Sequence, residues 1–129
     1  MRFETPAPGI TFDIPNEWRR FADMAGFTPA SEFYPPNESP FEALTLAEVQ
    51  PPVRFDGVPL FKKYKLVPVF FAFQSPECAL PLVQVIELPE PGRYRYAVHN
   101  GFHRFYASVA AGYSHLPATV FQPQDFAAT

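Results

Sequence analysis

Cysteine is almost missing from this chain: Cys78 is the single one in 129 residues. No internal disulfide can form, and no metal site can be assembled from paired thiolates. Redox chemistry would rest on that one thiol, which lies in QSPECALP with no neighbouring cation to lower its pKa, so an unreactive side chain is expected. Long apolar runs are missing too. None approaches the roughly 20 residues that cross a bilayer, and the opening MRFETPAPGITFDIP lacks the basic-then-apolar order of a secretion signal. A cytoplasmic protein without membrane association is the expectation. Charge is sparse, at 18% of residues with a net −3, which speaks against a stand-alone nucleic-acid binder with a broad basic face. Its distribution is uneven: residues 1–60 hold nine acids against four bases, and residues 61–129 hold four acids against six bases. An anionic ligand would be met by the second half.

What the chain does have is apolar mass. It is 47% hydrophobic and 17% aromatic, with 15 Phe, enough for one enclosed core and too short for two full-sized ones. A single domain over 1–129 is expected. So many aromatics and so few charges also predict apolar surface left over, and with it a homo-oligomer. The 17 prolines are densest in FTPASEFYPPNESPFEA (27–43). Phe33, Tyr34 and Phe41 mark this stretch as an ordered, irregular loop rather than a flexible linker.

The apolar spacing around that loop predicts the elements. PNEWRRFADMAGF gives a helix over 15–25, with Pro15 near its first position and Gly26 as its stop. ALTLAEVQ (43–50) reads as a strand or a short helix. KLVPVFFAFQ (65–74) is β-branched and aromatic and reads as a strand, which Pro68 confines to an edge or a bulge. PLVQVIEL (81–88) and RYRYAVH (93–99) are strands joined by a Pro-Glu-Pro-Gly turn. From Gly101 the spacing becomes helical, with Phe102, Phe105, Tyr106, Val109 and Tyr113 as the apolar stripe and Ala107, Ala110 and Ala111 as a smooth flank; Gly112 ends it. HLPATVFQ (115–122) returns as a strand. The fold class that follows is α+β, a small mixed sheet with packed helices.

The chemistry concentrates in VHNGFHRFYA (98–107). Asn100-Gly101 can swing the chain sharply from strand to helix, and the missing Cβ at Gly101 lets a ligand approach the main chain. A helix start presents N–H groups and the positive end of its dipole, and here His103 and Arg104 stand beside them. An arginine fork suits phosphate oxygens. Asn100, Gly101, Phe102, His103 and Arg104 are therefore the candidate phosphate- or nucleotide-binding residues. Set against this, an isolated His is more often structural, and Arg104 could be an ordinary surface residue. The basic run Lys62 to Lys65 either faces the same pocket or is a solvated strand start, and Phe61 and Tyr64 either stack on a base or pack in the core. No metal site is expected, because the turn between His99 and His103 removes the helical register that would pair them.

Leu80-Pro81, Gly92 with Tyr94, Gly101-Phe102-His103-Arg104 with Ala107, and Gly112 through Leu116-Pro117 agree in order and spacing with one known pattern. Over residues 80–122 the chain resembles the core of the ParB/sulfiredoxin superfamily. Residues 44–122 would then form the family-like core and 1–43 a helix plus a proline-rich N-terminal extension. The resemblance implies a nucleotide such as ATP or CTP as ligand, with Gly101 at the close approach and His103 and Arg104 on the phosphates. The chain also departs from the family. Phe102 occupies the position of the sulfiredoxin cysteine, so sulfiredoxin activity is not expected and the reaction is unassigned. The helix that precedes the family's Pro-Pro strand is replaced here by FDGVPLFKKYKLVPVFFAFQ, read as loop and strand. No helix-turn-helix follows, so site-specific DNA binding by this chain alone is not expected. The alternative is a non-catalytic interaction or oligomerisation module that kept the fold and lost the ligand.

Overall fold

Five strands form one sheet in the order β3-β7-β5-β6-β4. They are Glu42–Thr45 (β3), Val49–Gln50 (β4), Val83–Glu87 (β5), Tyr96–Asn100 (β6) and His115–Phe121 (β7). β5 pairs parallel with β7 and antiparallel with β6; β4 runs parallel to β6, and β3 antiparallel to β7. Ahead of this sheet Arg2–Glu4 (β1) and Thr11–Asp13 (β2) make a small antiparallel hairpin. Among the described residues the α-helices are Asn16–Phe21 (α1), Lys63–Gln74 (α2) and Phe102–Ala111 (α3). The structure, a computed structural model, describes residues 1–7, 9–53, 61–75, 77, 79–90 and 92–124. The expected α+β class is therefore what the chain forms, and the strands expected near 81–88, 93–99 and 115–122 share one sheet. Cys78 lies outside the described residues.

Three elements differ from expectation. α1 ends at Phe21, not near residue 25. Asp23 takes a left-handed φ of 55°; its N–H donates to the Arg20 carbonyl, and that of Met24 donates to the Arg19 carbonyl. This closing pattern turns the chain so that Ala22 and Met24 enter the core, and Gly26 is not needed as the stop. The segment 43–50 is both of its alternatives in turn: strand, a single 3₁₀ turn at Leu46–Glu48, then strand.

The largest correction is α2, expected as a strand. Leu66, Val69, Phe70 and Phe73 are buried at helical spacing, so the apolar run serves a helix face as well as it would have served a strand. Pro68 sits inside the helix, where its ring removes the hydrogen bond to the carbonyl four residues back. Both Pro68 and Tyr64 are exposed, which leaves that carbonyl on the solvent side of the helix.

α3 carries the chain from β6 past β5 to β7. Phe105, Tyr106, Ala107, Ser108 and Ala111 are buried on it. Val109, expected on the packed stripe, is only half-buried. Gly112 ends the helix in the left-handed region at φ 95°. The loop 27–43 is ordered by its aromatics: Tyr34 is fully buried and donates to the Pro81 carbonyl at 2.6 Å, and Phe33 meets Phe41 at 5.4 Å. Phe12, Ile14, Met24 and Tyr34 belong to the same hydrophobic cluster as Val83, Val85 and Phe105.

Candidate functional site

β6 runs out at Asn100, Gly101 turns the backbone at φ 125°, and α3 begins at Phe102. The turn is strained for any residue with a side chain. A Cβ at position 101 would also lie 2.9 Å from Val83 Cγ1, so the strand beneath requires glycine there whatever the cleft holds. The Gly101 carbonyl accepts the first helical hydrogen bond, from Phe105 N–H at 2.8 Å, and no side chain caps this end of the helix. An uncapped helix start carries the positive end of the dipole.

This turn forms one wall of a cleft of about 470 Å³. All five sequence-designated residues, Asn100 to Arg104, line it. Lys65 and Val69 of α2 also line it, with Pro52, Val53, Leu80, Val98 and His99 completing the described wall. Lys65 and Arg104 are the charged side chains, and no Asp or Glu stands among the described lining residues. Arg104 Nε is buried with no hydrogen-bond partner among the described residues. Lys65, which the sequence leaves open between this pocket and solvent, and His99, which carries no sequence signal for it, both line the cleft. Their placement depends on α2 being a helix and on where β6 ends.

His103 has a second occupation. It is 8% exposed, and its Nε2 accepts the Lys62 N–H at 3.1 Å, which ties the start of α2 to the start of α3. As that acceptor the ring nitrogen carries no proton. Phe61 and Phe102 are partly buried and packed against the core: Phe61 packs against Phe12, Phe102, His103 and Tyr106 within 6.1 Å, and Phe102 lies 5.1 Å from Tyr106. Tyr64 is 68% exposed and faces a different groove. Below the cleft, Tyr106 donates to the Pro52 carbonyl at 2.6 Å, and burial raises its pKa well above the ordinary tyrosine value. Among the described residues no three His, Cys, Asp or Glu side chains stand close enough to hold a metal ion. His115 lies elsewhere, 2.7 Å from Ser114 Oγ and 3.7 Å from Glu32. No described helix is long and apolar enough to cross a membrane.

The arrangement can hold an anion: a helix start, a lysine and an arginine line one concave surface. Compared with known proteins, the chain matches no family model, no curated protein and no solved structure.

Proposed function

We propose that this is a divergent ParB/sulfiredoxin-like domain that binds a nucleotide or another phosphate-bearing small molecule in the cleft at Asn100–Arg104. One observation carries the reading: among the described residues Arg104, its Nε buried and unpartnered, shares a cleft wall without Asp or Glu with Lys65 at an uncapped helix start. An inward-facing cation without a described carboxylate is the electrostatic complement of phosphate. The order strand, α2, strand, strand, α3, strand also supplies the helix whose apparent replacement weakened the resemblance. In this reading Arg104 and Lys65 contact the phosphate, the backbone of the first α3 turn receives its oxygens, and His103 holds the wall in place through Lys62. The apolar side of the cleft, Val53, Val69 and Leu80, accommodates the rest of the ligand.

The test is a thermal-shift titration with ATP, CTP, GTP and inorganic phosphate. At least one should raise the melting temperature in proportion to the logarithm of its concentration above Kd, as for a ligand that binds only the folded state. Arg104→Ala should abolish most of the shift while leaving the unliganded melting point close to that of wild type. Equal shifts in both proteins, or none with any ligand, would reject the reading. The second reading, an interaction module without a ligand, is favoured by a separate observation, the exposed aromatic stripe of α2.

A further inference from the structure

α2 is apolar on two sides. Leu66, Val67, Val69, Phe70 and Phe73 are buried, yet Tyr64, Pro68 and Phe71, spaced by four and three residues along the same helix, are exposed. A helix apolar all round is ordinarily enclosed; this one keeps an apolar stripe in water. Phe21 of α1 extends the stripe, 63% exposed and edge-on to Phe71 at 5.7 Å. Together they line an apolar groove of about 670 Å³. It lies on a different stripe of α2 from Lys65 and Val69, which line the phosphate cleft.

The groove is edged by positive charge. Lys63 Nζ lies 5.2 Å over the Phe21 ring, and Lys62 Nζ 5.9 Å over the Tyr64 ring. Arg20, next to Phe21, is exposed. Glu17 stands one turn before Phe21 on α1, but no described ion pair engages Lys62 or Lys63. Two copies joined face to face would gather four such lysines, two from each copy, into one small interface, which is unfavourable. Three aromatic rings and a proline also make a smaller patch than the roughly 800 Å² per partner of a standard interface, but they match the two or three anchors that a single amphipathic helix inserts into a groove.

We propose that the groove formed by Phe21, Tyr64, Pro68 and Phe71 docks an acidic amphipathic helix of another protein, its apolar side chains in the groove and its carboxylates on Lys62 and Lys63. This holds independently of the phosphate cleft.

The experiment uses the full chain and fluorescein-labelled synthetic helical peptides of about 18 residues. One carries Leu and Phe on one face and Glu on the flanks, a second replaces Glu by Lys, and a third replaces Leu and Phe by Ser. By fluorescence anisotropy the acidic amphipathic peptide should bind, with the other two at least about tenfold weaker. Phe71→Ser, Tyr64→Ser and Lys63→Glu should each weaken binding about fivefold or more with unchanged melting temperature, and added salt should weaken it further. If Phe71→Ser does not fold, the more exposed Tyr64→Ser decides. Equal binding of the lysine peptide, or no binding of the acidic one, overturns the proposal. So does a dimer in sedimentation velocity that Tyr64→Ser dissolves, which would make a second copy the occupant. Tyr64-dependent co-sedimentation with phosphatidylserine vesicles, without peptide binding, would make it a membrane and overturn the proposal as well.

Discussion

Gly101 is where backbone, packing and site meet. With φ at 125° and Val83 Cγ1 2.9 Å from the would-be Cβ, Gly101→Ala carries both torsional and steric strain, and about 2–3 kcal/mol of stability should be lost in urea denaturation. Adding Val83→Ala relieves only the contact, so the double-mutant cycle should show a favourable coupling of about 1 kcal/mol; strict additivity would mean that the strain is torsional alone. Tyr106 gives a pH signature. Its folded-state pKa is raised from 10.0 by burial, so above pH 10 the unfolded chain releases a proton that the folded chain keeps. The stabilisation is complete below pH 10 and is lost as pH rises beyond it, with a slope of up to about 1.4 kcal/mol per pH unit. Tyr106→Phe should flatten that alkaline decline. It should also cost about 1–2 kcal/mol at neutral pH, because the Pro52 carbonyl loses its donor. Free energies of unfolding measured from pH 8 to 11 for both proteins test the pair of claims.

The helices show how an element tolerates a residue that argues against it. Pro68 interrupts α2 on its solvent side, so Pro68→Ala restores a hydrogen bond and should raise stability by about 1–3 kcal/mol in thermal or urea melts. A loss of stability would mean that the proline ring packs against something that alanine cannot replace. On α3 the burial pattern ranks substitutions differently from the sequence stripe. Phe105 is fully buried while Val109 is half-buried. Phe105→Ala should therefore cost about 3–5 kcal/mol, whereas Val109→Asp should cost less and still give a cooperative melt. The α3 stripe was legible because Phe102, Phe105 and Tyr106 change from the spacing of two seen in β6 to that of a helix. α2 was misread because its apolar residues occupy nearly every position, so no period stands out, and Pro68 tipped the reading to an edge strand.

Across the whole molecule, β5 has a neighbour on each side, β7 and β6, whereas β4 is two residues long at one edge and β1 and β2 form a separate two-stranded sheet. Native-state hydrogen exchange should accordingly find the slowest amides in β5 and the adjoining face of β7, and the fastest in β1, β2 and β4. The sequence by itself determined the α+β class, strands near 81–88, 93–99 and 115–122, which the structure trims to 83–87, 96–100 and 115–121, and the glycine turn into α3. Each of these is written in short-range signals: alternation, a change of period, a residue that tolerates positive φ. Tertiary structure alone decided the rest. It made α2 a helix because Leu66, Phe70 and Phe73 gain more from burial against the core than Pro68 loses. That choice in turn brought Lys65 to the cleft that Arg104 lines, set His103 to accept the Lys62 amide, and left Tyr64 and Phe71 in water. These relations join residues about forty positions apart in sequence, and no local pattern encodes a contact that exists only once the helix has docked.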